Sequence, residues 1–345
     1  MMEQLTVNLK ERYDALKGEN LRIREAARRL EVSEAELVAL GCGETVTRLR
    51  PEFDKILGGI EKLGYVMALT RNDEVVHERK GVYLNGSFGP YASLFVGADI
   101  DLRIFLNAWD SAFAVTEYSN ERPRYSLQFF GKDGLAMHKI YLERNSNLDA
   151  YQELVETFKH VDQGQIQEVV RQEYTPEPEL EDSEIDVPGF REAWENLQDT
   201  HEFFGMLKKF NVTRTQALRL APSEYFAKKI SNGALRQALN LASADGTSIM
   251  VFVGNPGMIQ IHTGPVKNIV DHGPWINVLD PAFNLHLKEG AVTESWVVRK
   301  PTTDGIVTSL ELFNERKELI CTLFGARKPG VPELQAWRSI VEKLN

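Results

Sequence analysis

His201 is the side chain in this sequence best set up for chemistry. Phe190, Trp194, Leu197, His201 and Phe204 follow one another at steps of four, three, four and three, which predicts one apolar face of a 3.6-residue helix with an imidazole pointing inward from it. Such an imidazole is either a hydrogen-bonded core group or a ligand for a metal, a haem iron or a catalytic proton. Thr213 and Gln216 form a T-x-x-Q capping box that opens a second helix and sets Arg214 in its first turn. Two further cations come late in the chain, Lys300 in VVRKPTTDG and Arg327 in LFGARKPG. Non-covalent haem needs such a set: a neutral imidazole for iron, aromatic walls for the macrocycle, and Arg or Lys for two propionates. The plainer reading of each cation is a solvated surface group. The signatures G-x-S-x-G, G-x-x-x-x-G-K-S/T, H-E-x-x-H and G-x-G-x-x-G are all missing, which removes the common hydrolase, P-loop, zincin and dinucleotide chemistries.

Those residues must be positioned by a sizeable core, and 345 residues with 43% apolar side chains can bury two domains or one domain built twice. The net charge of -10 argues against nucleic acid or anionic lipid as the main partner. Cys42 and Cys321 have no zinc, iron-sulfur or C-x-x-C-H spacing, so a reducing compartment fits. The charged, amphipathic first residues and the lack of any run near the ~20 apolar residues of a membrane span predict a cytoplasmic protein.

Read in order, the chain opens with helices to about Leu63, including an S-x-x-E capping box at Ser33 and Glu36. The phrase AARRLEVSEAEL has the outline of a helix-turn-helix, a pattern shared with plain helical hairpins. From Gly64 to about Arg144 the period becomes two, with strands YVMALT, VVHER, YASLFV, YSLQFF and LAMHKIYL and hairpin turns that imply an antiparallel sheet. A helix follows over 148–160. Residues 171–187 carry seven carboxylates, one arginine and two prolines, and predict an exposed acidic linker. Helices over 190–241, strands over 247–326 and a last helix over 332–344 repeat the order. The domains expected are an N-terminal repeat over 1–170, the linker, and a C-terminal repeat over 188–345.

The repeat extends to residues. At an offset of 183, Val66 and Met67 match Ile249 and Met250, Leu102 matches Leu285, and Ser126, Leu127 and Phe130 match Ser309, Leu310 and Phe313. At an offset of 180 the two capping boxes coincide, so the register slips by three residues and the chain is an internal duplication. At that offset His201 falls on Leu21 and Arg214 on Glu34, while at the offset of 183 Arg103 falls on His286. The imidazole and its neighbouring cation belong to the second copy alone, which favours function over packing.

With HEFFGMLKKFNVTRTQALRLAP, WVVRKPTTDG and DLRIFL in order, and with this length and duplication, the chain resembles the haemin-transport and haem-degrading proteins of the HemS/ChuS/ShuS/PhuS family over almost all its length. The resemblance implies an α+β fold in which each half is a helical segment plus a large antiparallel sheet, with haem b (iron protoporphyrin IX) between the halves. It puts the axial ligand on His201, a distal arginine on Arg103 with Phe105 beyond it on the same strand face, pocket cations on Arg214, Lys300 and Arg327, and an aromatic wall on Phe252. Where relatives carry Gln and Tyr, this chain has Thr322 and Phe324, which removes a hydroxyl donor from the propionate region, a bond to a charged group being worth roughly 1.5–3 kcal/mol. His77 lies where some relatives have another haem-contacting histidine, and an exposed strand histidine is the expectation here.

Two functions share such a pocket. One is an enzyme that opens haem to release iron, with Arg103 catalytic through hydrogen bonds to an oxygen species and electrons from an external donor. The other is a carrier that hands haem on to a separate haem oxygenase. The implied partners are haem, an inner-membrane haem importer and that oxygenase. A DNA-binding regulator using residues 24–40 is a third reading, which the acidic charge disfavours.

Overall fold

The computed structural model describes residues 2–19, 21–118, 122–171, 175–176, 178–328 and 330–345, with side chains from residue 8 onward. Four positions of the acidic linker, 172–174 and 177, lie outside the described residues. The strands form two large antiparallel sheets, and the chain divides into two compact units. Unit 1 comprises Met1–Arg71, Glu78–Glu173 and Gly254–Gln260, and unit 2 comprises Asn72–His77, Tyr174–Val253 and Ile261–Asn345.

In unit 1 the strands Val46–Leu49, Trp109–Glu117, Arg124–Gly131, Ala136–Leu142 and Val66–Arg71 are hydrogen-bonded neighbours in that order. Alternation of apolar side chains along them puts Leu49, Ala112, Leu127 and Ile140 on one buried face, where Ile56, Leu57, Ile60, Leu63 and Leu154 of the covering helices meet them. In unit 2 the order recurs with Ala227–Ile230, Glu294–Thr302, Gly305–Phe313, Leu319–Gly325 and Ile249–Asn255. The helices Ala234–Asp245 and Gln335–Val341 cover this sheet, with Leu235, Leu239, Trp337 and Ile340 buried on it. Each unit adds a three-stranded antiparallel piece, Ser87–Phe88, Ser93–Val96 and Asp101–Ile104 in unit 1, and Ile269–His272, Trp275–Leu279 and Phe283–Lys288 in unit 2.

The duplication reaches the register of the ladders. Val66 pairs with Leu142 and Ile249 with Gly325, Ser126 with Tyr141 and Ser309 with Phe324, each pair displaced by 183. Even the bulge after Phe129 recurs after Leu312. A one-residue error in register would turn every side chain to the wrong face, so two copies of one buried face preserve it. The three-residue slip has a place: the caps Ser33 and Thr213 differ by 180, the edge strands by 181 through Val46 with Val115 and Ala227 with Val298, and the inner strands by 183. Each unit also incorporates the same hairpin taken from the other half of the chain, Asn72–His77 in unit 2 and Gly254–Gln260 in unit 1. Val75 thereby joins the core of unit 2 and Met258 that of unit 1.

Several expected boundaries change. The helical opening contains the strand Val46–Leu49, and the helical span over 190–241 contains its counterpart Ala227–Ile230. Both are four-residue outer strands, too short to show a period. The strands Asp101–Ile104 and Trp109–Glu117 join those expected. Part of the linker is anchored: Glu179 accepts from Thr213, Arg219 and Lys317, which hold its carboxyl down at about 2.

Candidate functional site

The continuous helix expected around His201 is two helices. Val187–Glu195 buries Phe190 and Trp194, the chain turns over 196–200, and Glu202–Phe210 follows with His201 as its N-cap. The turn is polar and makes its own bonds: the backbone N–H groups of Gln198 and Asp199 donate to Glu202 Oε2, and that of His201 donates to Asp199 Oδ1. Asn and Asp side chains compete with helical bonding in this way, so the helical phase resets. Phe203 is buried in place of Phe204, and the imidazole expected to point inward is 91% exposed. His201 Nδ1 donates to Asp199 Oδ1 at 2.6 Å, which leaves Nε2 as the outward nitrogen. Phe204, 62% exposed, and Gly205, with open space where a Cβ would stand, continue the stripe at the third and fourth positions after His201.

Arg214 and Lys300 are brought together on one carboxylate that sequence reasoning missed. Thr213 caps Arg214–Arg219 by accepting from Gln216 N–H, although the Gln216 side chain turns to Leu180 O and Asp182 instead of closing the box. Arg214 then forks onto Glu311, Nε to Oε2 and Nη2 to Oε1, both at 2.8 Å. Lys300 Nζ and Ser309 Oγ each donate to Glu311 Oε1 at 3.0 Å. Glu311 is fully buried. Burial alone would raise its carboxyl, but Arg214 and then Lys300 outweigh that and hold it well below the usual carboxylate range. Lys300, also buried, is lowered by burial against the pull of Glu311, and its ammonium lies 4.4 Å from the Phe203 ring centroid. The available signal was one carboxylate in the apolar strand Gly305–Phe313, at the place where the first copy has Gln128.

The first copy builds a triad of its own from different positions. Glu34, equivalent to Arg214, is buried and paired with Arg71 and with Lys139 at 3.0 Å, so a carboxylate stands on the helix and the cations on strands. Its helix, Glu34–Ala39, also buries Ala35, Leu37, Val38 and Ala39, which leaves little of it to enter a DNA groove.

Arg327 lies beyond the end of the strand Leu319–Gly325, where it pairs with Asp304 at 3.4 Å and helps lower the Asp199 carboxyl, after the backbone and ring bonds from His201. Thr303 N–H donates to Gln198 O, joining the Asp304 turn to the turn before His201. Phe252 and Phe324 are half-buried on neighbouring strands with ring centroids 5.1 Å apart at 64°. Thr322, opposite Phe252, is buried.

Arg103 and Phe105 belong to unit 1. Arg103 Nη1 donates to Asp101 and to Leu102 O, with the side chain about one-third exposed at 34%. Phe105 sits past the strand Asp101–Ile104, at the start of a 3-10 turn, and so departs from the shared strand face expected of it. Its N–H donates to Gly257 O, as does Trp109 Nε1. A Cβ at Gly257 would stand 2.7 Å from that indole nitrogen, so this close approach requires glycine. His77 is fully buried, against the expectation of an exposed histidine. The hairpin it ends is packed into unit 2, where its ring lies 5.0 Å from that of Phe283.

Fold and site together define a duplicated α+β protein in which His201 and the Arg214–Glu311–Lys300 cluster belong to the second copy. The haemin-degrading HemS.ChuX domain matches twice, over residues 31–158 and 211–344, and the chain belongs to this family of haem-binding and haem-transport proteins. It is 38% identical over 325 residues to the hemin transport protein HemS of Yersinia enterocolitica, covering 93% of this chain and 92% of that one. The solved structure of holo-PhuS, a heme-binding protein from Pseudomonas aeruginosa, superposes with a TM-score of 0.95 at 45% identity over 99% of both chains. That of ChuS, an E. coli heme oxygenase, gives 0.87 at 36% identity over 98% of this chain and 99% of ChuS. Among the described residues no helix is long and apolar enough to cross a membrane.

Proposed function

We propose that this chain binds haem b through His201 in the cytoplasm and serves haem-iron utilisation by degrading the haem to release iron. The observation that carries the reading is the His201 ring itself, 91% exposed, tied at Nδ1 to Asp199 and flanked by the exposed Phe204. An exposed phenylalanine beside an exposed, oriented imidazole suits a flat apolar ligand carrying a metal. Gly205 next to them leaves room for a macrocycle.

The residues present fit the group. His201 would supply an imidazole nitrogen, Phe252 and Phe324 a half-buried aromatic wall, and Arg214, Lys300 and Arg327 positive charge for carboxylates. Haem supplies the redox chemistry when bound, and electrons come from an external donor. Arg103 is the group we assign to catalysis, its guanidinium donating hydrogen bonds where negative charge develops. A carrier that passes haem from an importer to a separate oxygenase is the second reading, favoured by the engagement of Arg103 with Asp101.

Titration of the protein with haemin, followed over time with a reductant and catalase, tests both. A shifted Soret band that decays with stoichiometric release of iron supports the enzyme, and a shifted band that persists supports the carrier. Failure of haemin to shift the band at all overturns both.

A further inference from the structure

Building on the haem reading, we infer that Glu311 is a positioning residue that converts Arg214 and Lys300 into a clamp for a ligand carboxylate. Four donor atoms converge on its two oxygens: Arg214 Nε and Nη2, Lys300 Nζ and Ser309 Oγ. The fork commits Nε and Nη2 of the guanidinium to Glu311, which leaves Nη1, on a partly exposed side chain, for a further acceptor. Lys300, buried behind the fork with its ammonium 4.4 Å from the Phe203 centroid, adds its positive charge to the site. Two cations against one carboxylate leave a net positive charge at the site. The buried anion offsets the mutual repulsion that would otherwise drive one cation to lose its proton or swing out to solvent.

The duplication separates this role from generic core building. At the offset of 183, Glu311 corresponds to Gln128 and Lys300 to Glu117, and at 180 Arg214 corresponds to Glu34. The fold therefore tolerates a neutral amide at this strand position. In the first copy the buried Gln128 amide donates to Ser126, whose counterpart Ser309 donates to Glu311. The carboxylate appears where the helix opposite carries arginine, which ties it to the cations of the second copy.

The test compares haemin with haemin dimethyl ester, whose carboxylates are blocked, on the wild-type protein and on Glu311→Gln. The wild type should prefer haemin, and Glu311→Gln should weaken haemin binding about tenfold or more while leaving the diester unchanged. Glu311→Asp should restore part of the preference. Equal weakening of haemin and diester would reduce Glu311 to a structural residue, and unchanged haemin binding would remove it from the site. A wild type that binds both ligands alike would instead overturn the assignment of Arg214 and Lys300 to carboxylates. Should Glu311→Gln not fold, Arg214→Lys keeps the charge and loses the fork. It should lose the same preference for haemin over the diester, and retention of the full preference would sink the proposal.

Discussion

Asp199 Oδ1 accepts two hydrogen bonds from one residue, the backbone N–H of His201 at 2.8 Å and its ring Nδ1 at 2.6 Å. The backbone bond fixes the carboxylate, and the carboxylate fixes the ring. Outer partners of this kind are commonly worth ~10–100-fold in metal affinity. Asp199→Asn should therefore weaken haemin binding by about that factor, and the apo protein should show a mixed His201 tautomer by nitrogen NMR. An unchanged tautomer and affinity would remove Asp199 from the site.

His201→Ala should abolish the haem spectrum of the wild type without harming the fold. The ring is almost wholly exposed, and the equivalent position holds Leu21, so a stability change within ~0.5 kcal/mol is expected by urea denaturation. Unaltered haemin affinity and spectrum would show that the iron ligand lies elsewhere.

Arg103→Ala should separate binding from turnover. Its present pairing with Asp101 is part-exposed and worth only ~0–1 kcal/mol, so affinity and stability should hold. Loss of one such donor to developing charge costs about 10²–10³ in rate, read as slower decay of the Soret band. Decay at the wild-type rate would leave Arg103 as an ion-paired strand residue.

His138 should make the protein acid-sensitive. It is buried between Thr70 Oγ1 at 2.9 Å and Tyr83 Oη at 2.6 Å, and burial pushes it from 6.5 to about 3. The unfolded chain takes up a proton that the folded one refuses. Stability is thus fully present above about 6.5 and falls with pH, by roughly 2 kcal/mol at pH 5. His138→Cys, matching Cys321 of the second copy, leaves Thr70 and Tyr83 without their partner but should flatten that dependence in urea midpoints measured from pH 7 to 5. An equal slope in variant and wild type would contradict the assignment.

The sequence alone carried the duplication, because two copies of a buried face keep apolar residues at fixed spacing whatever else drifts. Val66 with Ile249, and Leu127 with Leu310, marked a register that the ladders then followed pair for pair. It also marked His201 and Arg214 as belonging to one copy. Direction and partnership were different matters. The stripe from Phe190 to Phe204 looked continuous because its spacing is helical throughout, yet bonds from Asp199 and Glu202 break the helix and turn His201 outward. His77 looked exposed because alternation in a strand does not reveal which core its hairpin joins. Glu311 lies 97 residues from Arg214 and 11 from Lys300. Only the folded sheet and the capped helix above it bring those charges within bonding distance, since an ion pair depends on separation in space and leaves no period along the chain.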